Sequence, residues 1–406
     1  MDGPPIASGA LLIGADGRIT AIGESAAVPQ APGISAHRFS GVLIPGLINA
    51  HTHLELTGLA GQVEEDEFGL WIRGVRELKA AKSPTWFAAA ARQGVSDAFA
   101  AGITMVFDTG DSGAVLPALV ELGGAGIVYQ EVFGPHPNQV AASMAGLVDK
   151  LASLQPVASA RVRLGVSPHA PYTVSGPLYR AVADLATTHR YPIAVHLAES
   201  VAETQFVTSH EGSFANGWRA RNIPPLREHP GTTPTGLRSP VAWLDAHGVL
   251  GPQTLAIHAI QLDPTDLDCL AQRGVAVAHC PLSNHRHHQQ AAPVGEMRRR
   301  GIRVGVGTDS VVSVGRLDLF AEMRAARSLA NLNAEEALAL GTVEAARLGG
   351  VEKEAGRLAV GAWGDVAAIQ VAPTDDPVEA VLGAGLAQVM ATYASGRLVY
   401  RRAPPA

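Results

Sequence analysis

Pro45-Gly46-Leu47-Ile48-Asn49-Ala50-His51-Thr52-His53 is a short apolar run that closes on two histidines one residue apart. On a strand, residues i and i+2 share a face, so His51 and His53 can grip one ion from the strand's C-terminal end. A lone HxH pair is weak evidence in a chain with 15 histidines. It gains weight because other apolar runs end the same way. Ile193-Ala194-Val195 leads into His196, Leu255-Ala256-Ile257 into His258, and Val304-Gly305-Val306-Gly307-Thr308 into Asp309. Histidines kept only for core packing would not all stop their strands at one end.

Working outward, short apolar strands alternate with Ala-rich helical stretches. The strands are expected at Leu43–Ala50, Thr104–Asp108, Ile127–Phe133, Arg161–Ser167, Ile193–His196, Thr254–Ala259, Val275–His279 and Val304–Gly307, and helices at Trp86–Ala101, Gly176–Thr188, Pro264–Arg273 and Leu317–Leu329. Eight strand-then-helix units predict an α/β chain folded as a (β/α)₈ TIM-type barrel, whose active site lies at the C-terminal ends of the strands. The flanks read differently. Leu11–Ile13 and Ile19–Ile22 surround Gly14-Ala15-Asp16-Gly17 as a hairpin; Gly356–Val360, Asp365–Val371, Met390–Tyr393 and Leu398–Tyr400 restore a strand texture near the other end. Residues 1–43 and 354–406 are therefore expected to form one small β-sandwich domain built from both termini, and 44–353 the barrel. Residues 205–240, rich in Gly and Pro with arginines at 219, 221, 227 and 238, break the repeat as an insertion.

Composition excludes several function classes. The chain has 406 residues, 47% of them hydrophobic, with 31 basic against 37 acidic residues and a net charge of -6. No basic excess is available to hold a phosphate backbone, so nucleic-acid binding is not expected. No apolar run reaches the ~18 residues of a membrane span, and the N-terminal stretch lacks the basic and apolar regions of a secretory signal. A cytoplasmic protein follows, with Cys269 and Cys280 as reduced thiols. Cys280 has no activating partner to make it a nucleophile.

Three histidines and an aspartate suit one divalent ion, zinc or iron(II), with a position left for water. Glu199, three residues beyond His196, can reach the same cavity and move protons. The motifs PGLINAHTHLE (45–55), HLAES (196–200), HAIQL (258–262) and GTDS (307–310) resemble the amidohydrolase superfamily, specifically its mononuclear deaminase and chlorohydrolase branch. The resemblance covers nearly the whole chain. It implies that His51, His53, His196 and Asp309 ligate the metal, that Glu199 is the proton shuttle, that His258 holds or polarises the hydroxide, and that Asp309 accepts the proton of the attacking water. A binuclear member would offer a lysine near the end of strand 4; Leu164-Gly165-Val166-Ser167-Pro168-His169 has none. The HxE…PCxxC pattern of the cytidine-deaminase architecture is missing too.

By the same resemblance His169 contacts substrate; Glu55, two residues past His53, faces the cavity if the strand persists and is expected to touch a substrate hydroxyl or amine. His279 is expected as structural support, and His285, His287 and His288 as a solvated loop. The substrate implied is an aminopurine nucleoside, losing ammonia. HLAES followed by Glu203 and Phe206 is most similar to the aminodeoxyfutalosine deaminases of menaquinone biosynthesis, whose substrate carries a benzoate that the arginines of 219–238 could meet. S-adenosylhomocysteine, adenosine or guanine deamination, dechlorination, or an idle metabolite-binding relative are the alternatives. Barrels of this type often pair as homodimers, although no apolar stripe here demands it.

Overall fold

A computed structural model describes residues 3–30, 33 and 36–403. Strands β1 (Gly9–Ile13) and β2 (Ile19–Glu24) form an antiparallel hairpin, and β3 (Val42–Pro45) follows. The barrel strands are β4 (Leu47–Thr52), β5 (Ile103–Gly110), β6 (Ala125–Val132), β7 (Val162–Pro168), β8 (Ile193–Leu197), β9 (Thr254–His258), β10 (Ala276–His279) and β11 (Val304–Val306). They lie in sequence order as one parallel sheet. Between its first and last strands the Asp309 amide donates to His51 O at 3.0 Å, and the Asn49 side chain bonds Thr308 at 2.8 and 3.0 Å. Gly307 permits this approach, because a side chain there would collide with the His51 backbone.

Strands β12 (Val366–Ile369), β13 (Val389–Ala394) and β14 (Arg397–Arg401) complete a second, antiparallel sheet in the order β14-β13-β12-β3. The hairpin meets the segment leading into β12 through the Arg18–Trp363 bridge. Both termini thus contribute to the antiparallel sheets. Two expectations need correction. The single strand over Leu43–Ala50 is two strands broken at Gly46, where the Gly46 amide donates to Asp365 O at 2.8 Å and a side chain would strike Thr104. Gly356–Val360 is not a strand: Gly356 (φ +72°) and Gly361 (φ +88°) turn the backbone, and Val360 is exposed.

Inside the barrel, Ile48, Ala50, Met105, Phe107, Ile127, Tyr129, Ala194, Leu255, Ile257 and Ala278 form a buried cluster. Ala345 and Ala346 from the helix Val343–Leu348, with Trp363, cap it at the N-terminal end. The lumen is therefore packed below and leaves its polar residues at the C-terminal rim. Outer helices begin and stop on local signals. In Pro264–Arg273, for example, Asp263 caps the first turn reciprocally with Asp266, and Gly274 (φ +69°) ends the last. The segment 205–240 is largely ordered, with helices Val201–Ser209 and Gly212–Arg219 and the buried Trp218. Among the described residues no helix is long and apolar enough to cross a membrane, and both cysteines are free.

Candidate metal and catalytic centre

The strand ends gather as the sequence suggests, but strand alternation alone does not deliver them. In β4, Ile48 and Ala50 face the lumen, so strict alternation would send His51 outward; the register slips between Asn49 and Thr52. In β9, Leu255 and Ile257 face inward, and His258 follows them in because its φ is +70°. Ala198, Ala259 and Asp309 also hold positive φ at 52°, 49° and 60°. Left-handed backbone at non-glycine residues is costly, about 1–3 kcal/mol each, and concentrates at functional sites.

His51 is the centre of the cluster. Its ring lies 4.8 Å from that of His53, 5.1 Å from His196 and 5.7 Å from His258. Ligand atoms of His51, His196 and His258 lie within 4.8 Å of one another, as do those of His51, His53 and Asp309. The two sets share His51 and together contain every expected ligand. Asp309 Oδ1 stands 3.4 Å from Nε2 of both His51 and His53, long for a hydrogen bond.

Both ring nitrogens of His51 and Nδ1 of His196 are buried without a hydrogen-bond partner. Buried polar atoms are normally satisfied; here they sit in a cluster in which ligand atoms of His53, His196, His258 and Asp309 each lie within 4.8 Å of one on His51, which fits a divalent cation bound by imidazole nitrogen and carboxylate oxygen. Burial lowers the pKa of His51, and lowers His53 and His196 well below the ordinary imidazole value, leaving neutral rings with lone pairs to offer. Burial also pushes Asp309 up, but His51, His258 and His53 outweigh it and hold the carboxyl well below its usual range.

Supporting contacts orient these groups. Asp309 Oδ2 accepts from Ser283 Oγ at 2.6 Å and Ser313 Oγ at 3.1 Å, and Oδ1 from the Ser310 amide at 2.7 Å. His258 Nδ1 donates to Asn284 Oδ1 at 2.8 Å, which turns Nε2 towards Glu199 Oε1 at 3.7 Å. Thr109 Oγ1 meets His53 Nδ1 at 3.2 Å. Glu199 is buried, which raises its pKa, yet His258 and His288 lower it below the ordinary value. Its backbone amide and that of Ala198 donate to Glu203 at 2.9 and 2.8 Å, so Glu203 fixes the turn that carries the shuttle.

The second-tier residues fall out differently. His169 sits beside His196, 4.7 Å between rings, with Nδ1 2.9 Å from Thr173 Oγ1; burial lowers its pKa to about 4. Glu55 is buried on the turn after β4, paired with Lys79 Nζ at 2.6 Å and accepting from Ser112, so its carboxylate ties the loop after β5 to the helix Phe68–Ala80. His279 is buried and contacts Asn284 Nδ2 at 3.3 Å. Of the arginines in the insertion, Arg238 is engaged by Asp263 and Asp266 at 2.6 and 2.5 Å, and Arg219 by Asn216 and His210 O.

One expectation is corrected and one residue was missed. The run 285–288 is not a solvated loop but the end of the helix Pro281–His288. There His288 Nε2 lies 3.1 Å from Glu199 Oε1, and His287 packs on Trp71 at 4.4 Å between rings. Glu131, at the end of β6, offers a ligand atom within 4.8 Å of those of His169 and His196, and its Oε1 is unpartnered. Alternation from Ile127 and Tyr129 places it in the lumen, a signal present in the sequence.

Comparison with known proteins accords with this geometry. The 5-methylthioadenosine/S-adenosylhomocysteine deaminase of Syntrophobacter fumaroxidans is 30% identical over 381 residues, covering 88% of this chain and 80% of the relative. The zinc-bound structure of an adenosine deaminase from Xanthomonas campestris superposes with a TM-score of 0.83 at 24% identity, covering 97% of this chain and 88% of that one. The aminofutalosine deaminase of Helicobacter pylori, in complex with methylthio-coformycin, does so with a TM-score of 0.78 at 22% identity, covering 96% and 94%. At those identities the two structures speak for the fold. The family model described as the amidohydrolase family matches residues 42–399, and the chain belongs to that family as a hydrolase of carbon–nitrogen bonds.

Proposed function

We propose that the protein hydrolytically deaminates the adenine ring of a nucleoside carrying a 5′ substituent, with 6-aminodeoxyfutalosine the favoured substrate and zinc the favoured metal, in the cytoplasm. The carrying observation is the gathering of buried, unpartnered imidazole nitrogens with Asp309 in one cluster of strand ends, whose His258 lies 3.7 Å from Glu199. A metal held by His51, His53, His196 and Asp309 would make a water acidic enough to attack at neutral pH, lowering its pKa from 15.7 to about 7. Asp309 accepts a proton from that water. Glu199, ionised at rest, takes the water's other proton and gives it to the purine ring nitrogen next to the attacked carbon, and the proton held on Asp309 passes by way of Glu199 to the departing amine. His258 donates to the oxygen that develops negative charge. Water's oxygen replaces the exocyclic nitrogen, which leaves as ammonia, and His169 and Glu131 line the wall against which the base would sit.

The HLAES segment with Glu203 and Phe206 supports the futalosine substrate. The 30% identity to a deaminase named for 5-methylthioadenosine and S-adenosylhomocysteine favours a second reading, a 5′-thio nucleoside. Since Arg219 and Arg238 are engaged within the protein, Arg221 and Arg227 are the insertion's remaining candidates to meet a substrate carboxylate. The test is metal-loaded protein with aminodeoxyfutalosine, 5-methylthioadenosine, S-adenosylhomocysteine and adenosine, read by ammonia release. The highest kcat/KM identifies the 5′ group. In Glu199→Gln, kcat should fall ~10²- to 10⁴-fold with metal retained. Silence on all four with metal bound would discard the reading.

A further inference from the structure

The helix Pro281–His288 reaches three groups of the site from one side. Ser283 bonds Asp309, Asn284 bonds His258, and His288, four residues after Asn284 and so on the same helical face, bonds Glu199. Resting on the deaminase reading, we propose that His288 is a positioning residue for the proton shuttle, holding one oxygen of Glu199 so that the other is presented to the substrate.

An ionised carboxylate is acceptor-only, so Nε2 of His288 must be the donor in the 3.1 Å contact with Oε1. His258 Nε2 lies 3.7 Å from that same Oε1. Among the described residues nothing hydrogen-bonds Oε2. Glu199 is thus clamped through one oxygen, with the other free for proton transfer. A glutamate side chain has three rotatable bonds, and a shuttle must meet the ring nitrogen and then the leaving amine from one position. His288 is itself held. Its side chain is only 7% exposed, its ring meets Phe68 edge-on at 4.6 Å, and the helix ends immediately after it, at Gln289 with φ +53°. Phe68 belongs to the helix Phe68–Ala80, so the clamp joins two segments that follow different strands.

The test compares His288→Phe, which keeps a ring against Phe68 but loses the donor, with His288→Gln, whose amide restores a donor. Expected in His288→Phe is a fall in kcat of at least tenfold with KM and metal content unchanged, and in His288→Gln a kcat within about threefold of the parent. Full kcat in His288→Phe, or equal losses in both variants, overturns the proposal. An arm independent of turnover uses protein labelled with ¹⁵N-histidine, the His288 ring signals being identified by their loss in His288→Phe. Those signals should move in Glu199→Gln. If the parent protein deaminates no nucleoside, the deaminase reading fails while this shift still supports the clamp; unmoved signals overturn the clamp whatever the activity.

Discussion

At the N-terminal end of the barrel, Arg161 Nη2 bonds both oxygens of Asp365 at 2.9 and 3.0 Å, its guanidinium lies 4.3 Å from the Trp363 ring centroid, and Asp365 also accepts from the Ser395 amide at 2.7 Å. At the C-terminal end His51 and His196 keep buried nitrogens that bond nothing, on a rim where four residues sit in left-handed backbone. One end pairs the charges of Arg161 and Asp365, although Arg161 Nε and Nη1 make no hydrogen bond, and so ties the antiparallel sheet to the barrel. The other leaves imidazole nitrogens beside the Asp309 carboxylate without hydrogen bonds, a donor set suited to a cation. A buried charge with its partner present holds the fold together, whereas a set of unsatisfied ligands costs stability until a cation arrives.

Four measurements break or sharpen this contrast. His196→Ala at the rim should lower kcat/KM by about 10³-fold or more and reduce metal content by elemental analysis, while circular dichroism stays unchanged. A fully metallated, active variant would remove the rim's functional reading. Asp365→Ala at the opposite end leaves Arg161 buried and alone, and should cost about 3–5 kcal/mol in chemical denaturation with kcat per folded molecule preserved. Loss of kcat without loss of stability would reverse the roles of the two ends. Asn284→Ala frees His258 Nδ1, so kcat should fall roughly 10- to 100-fold while Tm barely moves.

The last effect lies outside both ends, at His229 in the 205–240 segment. This ring stacks on Trp218 at 5.6 Å and donates from Nε2 to Pro224 O at 3.0 Å. Burial lowers its pKa from 6.5 to about 4. Between those values the unfolded chain binds the additional proton, so stability is lost as pH falls from 6.5 towards 4, with a slope of up to about 1.4 kcal/mol per pH unit. His229→Gln should flatten denaturation midpoints over that window; an unchanged slope would assign the loss to other groups.

Much of the barrel was legible because parallel strands buried on both faces read as apolar runs between helical stretches, and because His51, His196, His258 and Asp309 all stop such runs. What stayed hidden has physical causes. The break at Gly46 depends on Thr104, far along the chain, occupying the space a side chain would need. The inward turn of His258 depends on a positive φ that no β-propensity announces. Glu55 shares its side of the chain with the cavity, yet its pairing with Lys79 and Ser112 could be known only once the helix Phe68–Ala80 was placed. His287 and His288 sit among polar neighbours that argue for a wet loop, and only the short helix after β10 shows which of them faces Glu199.

The pairing of β3 with β12 has a consequence for synthesis. Val42 lies opposite Ile369 and Pro45 opposite Val366. As the chain leaves the ribosome, β3 therefore waits with an open edge until nearly all of the barrel has been made. Such long-range pairing is slow to form and exposes strand edges in the interim. Val42-Leu43-Ile44 is the stretch a chaperone should meet first on the nascent chain, and truncations ending before Val366 should aggregate even though all eight barrel strands are already present.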